Sequence, residues 1–209
     1  MPAGPGLFIS LEGIDGSGKS TQARRLADRL RAMGRDPVLT REPGGAPGAE
    51  DIRRLLVEGD PDRWSPETEI LLFTAARRDH LERTIRPALA AGRDVVTDRF
   101  ADSTRVYQGA TRGDLRGLVD DVHARVIGIE PDVTLILDMD PEVALTRGLA
   151  RGSGEDRFEE FGLDFQQKLR TGFRALAAEA PDRCVLIDAA QDADAIAASI
   201  ADAVSRRLK

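Results

Sequence analysis

Short apolar runs alternate with longer stretches whose apolar residues recur at helical spacing. Leu7-Phe8-Ile9-Ser10-Leu11 reads as a strand, a brief apolar run that ends in a glycine-rich turn. Beyond the turn, Ala23, Leu26, Ala27, Leu30 and Met33 form a stripe with the 3.6-residue period of a helix. Val38-Leu39-Thr40, Val95-Val96-Thr97, residues 133–137 and Val185-Leu186-Ile187 predict four further strands. Helical patterns separate them over 66–90, 115–127, 141–151 and 161–178, and a closing helix carries Ile196, Ile200, Val204 and Leu208 four apart. Residues 44–48 and 152–154 are glycine-rich and predict loops. The strands lack strict in-out alternation, which is expected where helices cover both sheet faces. The pattern therefore predicts an α/β fold, a three-layer α/β/α sandwich around a five-stranded parallel sheet.

The turn after the first strand carries chemistry. Gly13-Ile14-Asp15-Gly16-Ser17-Gly18-Lys19-Ser20 fits G-x-x-x-x-G-K-[ST] and lies between a predicted strand and a predicted helix, as the motif requires. Glycines let successive backbone N–H groups curl inward around phosphate oxygens, and the helix N-terminus adds a favourable dipole. Lys19 supplies charge to the β- and γ-phosphates, and the Ser20 hydroxyl is a candidate Mg²⁺ ligand. The candidate ATP site thus runs from Gly13 through Lys19 and Ser20 to Thr21. A guanine-reading Asn-Lys-x-Asp motif is excluded because the sequence contains no asparagine. At 209 residues the chain is short for a motor ATPase and fits a single P-loop domain spanning 1–209, leaving small-molecule kinases as the main class.

Composition narrows the partners. A net charge of -6 argues against a general binder of nucleic-acid polymers, which need a basic footprint, but permits a local arginine cluster around one small anion. Cys184 is the only cysteine, so no intrachain disulfide can form. Residues 1–13 do not resemble a signal peptide, and no apolar run approaches the ~20 residues that span a bilayer. A cytoplasmic enzyme with no membrane partner is the expectation.

Further along, Thr40-Arg41-Glu42-Pro43-Gly44-Gly45 follows the second strand, and Leu72-Phe73-Thr74-Ala75-Ala76-Arg77 lies on the long helix. Asp98-Arg99-Phe100 ends the third strand and leads into Asp102-Ser103-Thr104-Arg105-Val106-Tyr107-Gln108-Gly109. From the residues alone, Phe73, Arg77 and Leu81 share one helix face. Arg99 sits at the strand-end edge where open α/β sheets bind ligands. Together with the P-loop, and at this spacing over nearly the whole chain, these segments resemble the bacterial thymidylate kinases, which have the P-loop nucleoside-monophosphate kinase fold.

The resemblance implies phosphoryl transfer from ATP to dTMP, giving ADP and dTDP for dTTP biosynthesis. It implies that Phe73 stacks on thymine and that Arg77 bonds a thymine carbonyl. Arg41 and Arg99 would meet the acceptor phosphate, Asp15 the sugar 3′-hydroxyl, and Tyr107 would crowd the 2′ position. Ser103, Thr104 and Gln108 are further candidate base contacts. Asp98 looks like the carboxylate that organises Mg²⁺, with Asp138 a competing strand-end residue. Residues 147–158 resemble the family's mobile lid, which implies catalytic roles for Arg147, Arg151 and Arg157 beside Lys19 and Arg99. Leu149 departs from a position often basic in relatives. Gly16 stands where the other type of family member keeps an arginine, in agreement with an arginine-bearing lid. A homodimer packed through helices is also implied. The alternatives are a kinase for another pyrimidine monophosphate, such as uridylate or deoxycytidylate, and an ATP-gated binding protein.

Overall fold

In the computed structural model, which describes residues 6–60, 63–110, 113–149 and 162–208, five parallel strands pair in the order β2-β3-β1-β4-β5. They are β1 (Phe8–Glu12), β2 (Val38–Arg41), β3 (Val95–Asp98), β4 (Val133–Asp138) and β5 (Cys184–Asp188). Each lies within a residue or two of the run that predicted it. β1 and β4 are buried at almost every position, which explains the missing alternation.

Contacts place α1 (Lys19–Ala32) and α9 (Ala193–Ser205) on one face of the sheet. The other face carries α3 (Pro66–His80), α5 (Ala101–Thr104) with the π-helical turn Arg105–Ala110 that extends it, and α8 (Gly162–Glu179). This is the three-layer arrangement expected. Phe8 packs among Leu81, Ile85, Phe100 and Ile127 on the α3 side. Ser10 and Glu12, two and four residues on, share that face and sit buried beneath α5.

The remaining helices are α2 (Pro47–Val57), α4 (Arg86–Ala90), α6 (Arg116–Val122) and α7 (Pro141–Leu149). The long pattern over 66–90 is α3 and α4 joined by a π-helical turn, Leu81–Ile85. Pro87 lies just past that turn and has no N–H to continue the ordinary ladder. One segment differs from expectation: residues 44–48 are not wholly loop, because α2 begins at Pro47. The segment 101–110, for which the pattern predicts no element, is helical. Leu208 lies beyond the end of α9, yet it still packs against the core. No described helix is long and apolar enough to cross a membrane.

Candidate active site

The P-loop bridges β1 and α1. Gly18 caps α1 in a left-handed conformation without any side-chain cap, so the first N–H groups of the helix are available to an anion. Lys19 is buried, donates to Ile14 O at 2.8 Å and lies 3.8 Å from Asp15 Oδ1. Thr21 is exposed on the first turn of α1. Gly16 has φ 83°, and a Cβ there would stand 2.0 Å from the Ala144 carbonyl oxygen. No side chain fits position 16 on this backbone, so an arginine there is excluded sterically.

Asp15 turns from the P-loop into a cavity of about 130 Å³. Glu42, Pro43, Arg53, Val57, Phe73, Arg77, Arg99, Phe100, Ser103, Thr104, Tyr107 and Gln108 complete its lining. The expected acceptor residues Phe73, Arg77, Arg99, Ser103, Thr104, Tyr107 and Gln108 are therefore brought together from α3, β3 and the segment after it. Arg41 is not among them. It lies at the end of β2, exposed, 3.2 Å from Glu50, and faces a separate cavity shared with Ser20, Arg24, Thr40 and Asp98.

Arg99 is the hinge of the site. Among the described residues it is the one non-glycine residue with positive φ, at 74°. That strained conformation is held by Arg99 N–H donating to Leu11 O at 2.9 Å and by Thr97 Oγ1 donating to Arg99 O at 2.8 Å. The side chain donates through Nη1 to Gly13 O and Ser103 Oγ, and through Nη2 to Asp15 Oδ1 at 2.5 Å and Tyr107 OH at 3.1 Å. The Tyr107 hydroxyl donates in turn to Asp15 Oδ2 at 2.9 Å. Burial pushes the Asp15 carboxyl up, but the charges of Arg99 and Lys19 outweigh it and hold the group well below the usual carboxylate range. Burial and the repulsion of Arg99 bring Lys19 down to about 8, against the pull of Asp15, Asp98 and Glu12.

Under this turn lies Glu12, fully buried. It accepts from Phe100 N at 2.7 Å, from Ser103 Oγ at 2.6 Å and from Ser10 Oγ at 3.1 Å. Burial first, and the neighbouring Asp102 charge second, raise it to about 7. Arg77 is held from two sides. Its Nε donates to Glu42 Oε2 at 2.7 Å, and its Nη2 to Thr104 Oγ1 at 3.0 Å and Phe100 O at 3.2 Å.

The two candidate metal carboxylates separate clearly. Asp98 accepts a hydrogen bond from the Ser20 hydroxyl, which sets two hard oxygen donors side by side at the P-loop. Asp138 instead spends both oxygens on Arg170 and Arg174 of α8, with contacts of 2.7–3.2 Å. Ser20 and Asp98 are the pair that fits Mg²⁺. Of the expected lid, Arg151 and Arg157 lie outside the described residues, as does the side chain of Arg147 at the end of α7.

Sequence reasoning gave no role to Glu12, Glu42, Arg53 or Phe100. Arg53 rides on α2 and donates to Pro43 O at 2.5 Å. Pro47 at the first helical turn and Glu50 just inside it are the start signals that could have found this helix.

A phosphate-binding loop that shares its aspartate with an arginine-lined, aromatic-walled pocket defines a P-loop kinase of the nucleoside-monophosphate type. The family model for thymidylate kinase matches residues 11–200. A thymidylate kinase from Jannaschia sp. (strain CCS1) is 78% identical over 204 residues, covering 98% of each chain. One from Caulobacter vibrioides is 57% identical over 204 residues, covering 97% of this chain and 98% of that one. The crystal structure of thymidylate kinase from Ehrlichia chaffeensis superimposes with a TM-score of 0.78 at 34% identity, covering 96% of this chain and 99% of that one. The chain belongs to the thymidylate kinase family.

Proposed function

We infer that this protein, as one P-loop kinase domain, transfers the γ-phosphoryl group of ATP to dTMP, yielding ADP and dTDP. The observation that carries the reading is the convergence of Asp15, Arg99 and Tyr107. There the donor loop and the acceptor pocket share residues, so two nucleotides can meet end to end. Phe73 offers a flat face to the base, and Arg77 offers donors to a base carbonyl. Arg99 is assigned the acceptor phosphate, because its guanidinium matches phosphate oxygens and it faces the pocket, whereas Arg41 faces the other cavity.

The acceptor phosphate is already anionic, so no strong general base is needed, and rate comes from alignment and charge neutralisation. Lys19 and the α1 N-terminus hold the ATP phosphates. Arg147, Arg151 and Arg157 are assigned to closing over them from the lid. Ser20 and Asp98 would hold Mg²⁺, which would supply positive charge to offset that of the phosphates. A homodimer belongs to the same reading, supported by the exposed Leu71, Leu118 and Val126 on α3, on α6 and in the turn that follows α6. A cytoplasmic setting is supported by the nucleotide substrates and the lone buried Cys184.

The test is an ADP-release assay with Mg²⁺, ATP and a panel of nucleoside monophosphates. dTMP is expected to be the preferred acceptor. Fast turnover confined to uridylate or deoxycytidylate would end the substrate assignment, and ATP binding without transfer to any acceptor would favour a binding protein.

A further inference from the structure

Behind Arg77 a chain of polar groups runs from Glu42 at the pocket wall through buried His80 to half-buried Thr40, and the phosphoryl-transfer reading leaves it unused. His80, on α3 and three residues past Arg77, is fully buried. Its Nδ1 lies 3.0 Å from Glu42 Oε1 and its Nε2 2.7 Å from Thr40 Oγ1. A carboxylate only accepts, so Nδ1 carries a proton toward Glu42, while Nε2 and the Thr40 hydroxyl share the second bond. Glu42 thus has one oxygen fastened to His80 and the other to Arg77 Nε. The fit is tight. A Cβ on Gly45 would come within 2.4 Å of Thr40 Oγ1 and 2.5 Å of His80 Nε2, and its φ is +81°.

The consequence falls on the guanidinium. With Nε committed to Glu42 and Nη2 to Thr104 and Phe100 O, the Nη1 edge is what remains to Arg77 on the pocket side. A fixed donor edge favours a carbonyl on the base and disfavours an exocyclic amine at the same place. A guanidinium free to swing would lose that discrimination, because neither ring substituent would face a directed donor.

We propose that His80 is a positioning residue for base recognition, orienting the Glu42 carboxylate so that Arg77 presents one fixed donor edge to the acceptor base. This rests on the dTMP reading of the pocket. His80 is fully buried and lines neither the pocket nor the cavity beside Ser20. Its influence runs through Glu42, and Thr40 sets its ring from the far side.

The experiment compares the full-length parent with His80→Leu and His80→Asn in steady-state assays with Mg²⁺, ATP, and dTMP or dCMP. His80→Leu is expected to raise KM for dTMP by about tenfold or more while kcat stays within about threefold, the mark of lost uniform binding. The preference for dTMP over dCMP in kcat/KM should fall by a similar factor, with KM for ATP unchanged. His80→Asn places an amide N–H near the position of Nδ1 and should return KM for dTMP to within about threefold of the parent. Thermal melting accompanies each assay. Should His80→Leu fail to fold, His80→Asn against His80→Gln carries the test, since the glutamine amide reaches toward Thr40 rather than Glu42 and should raise KM. An unchanged dTMP KM in folded His80→Leu, or an asparagine variant no better than its comparator, overturns the inference alone. A parent that phosphorylates no dTMP overturns the functional reading and this inference with it.

Discussion

Two arginines six positions apart show how similar chemistry serves different ends. Arg99 and Arg105 are both largely buried and both stand among carboxylates. Arg105 is closed off. Its Nε donates to Asp120 at 2.8 Å, Nη1 to Asp102 at 2.7 Å and Glu130 at 3.1 Å, and Nη2 to Glu130 at 2.5 Å. Arg183 adds a bidentate pair to Asp102 and a bond to Thr134, stitching the starts of β4 and β5 to α5. Arg99 bonds Asp15 only through Nη2, and its other side-chain partners are neutral oxygens. Both it and its carboxylate face a cavity. A saturated network locks the helical layer in place, whereas an open one has a cationic edge left for a phosphate. Burial and charge do not tell them apart, but access does.

The largest expected effect tests that contrast directly. Arg99→Met should lower kcat/KM for dTMP by about 10²-fold or more, the scale for an acceptor phosphate that is no longer held in line for transfer. Its melting temperature should move far less than that of the second variant. A loss under tenfold would remove Arg99 from the reaction. Arg105→Met should do the reverse, costing on the order of 3 kcal/mol because it breaks a buried network and leaves Asp102 to Arg183 alone. Turnover per folded molecule should be nearly preserved, and denaturant unfolding with active-site titration reads both quantities.

A smaller effect concerns Glu12, which joins the two regions through its proximity to Asp102. Its folded pKa of about 7 exceeds its ordinary 4.5. Between those values the folded state holds a proton that the unfolded state has released, so stability is greatest at the acid end and falls as pH rises, levelling above about 7. The fall should be at most on the order of 3 kcal/mol, and Glu12→Gln should flatten it. Asp15, held low, does not titrate in that window. A parental stability curve flat from pH 5 to pH 7 by urea titration would contradict the burial argument. Tyr107→Phe is expected to do least. It removes the bond to Asp15 at a cost of about 1 kcal/mol, read as a rise of about fivefold in KM for dTMP with kcat little altered.

Much of this was legible in the linear chain because it is local. The P-loop needs eight consecutive residues, and each strand announces itself through a run of apolar side chains. Phe73 and Arg77 share a helix face by spacing alone. The misses have local causes too. Gly44 and Gly45 disguised the start of α2, so Arg53 went unread, and the polar residues at 101–110 hid a helix that packs over the sheet. Arg41 and Arg99 looked alike in sequence, each at a strand end. The pairing of β2 with β3 sends one to Glu50 and the other to Asp15.

By itself the sequence determined the class of fold, the phosphate-binding loop and the identity of the groups available for an acceptor. Tertiary structure alone decided which arginines are open and which are sealed. It also chose Asp98 over Asp138 as the partner of Ser20, and it assembled Thr40, His80, Glu42 and Arg77 into one chain of bonds. The reason is physical. Backbone periodicity and turn geometry are set by neighbours a few residues away, but a buried charge is defined by its compensation. For the two arginines of the pocket, Arg77 and Arg99, the compensating carboxylates lie 35 and 84 positions distant.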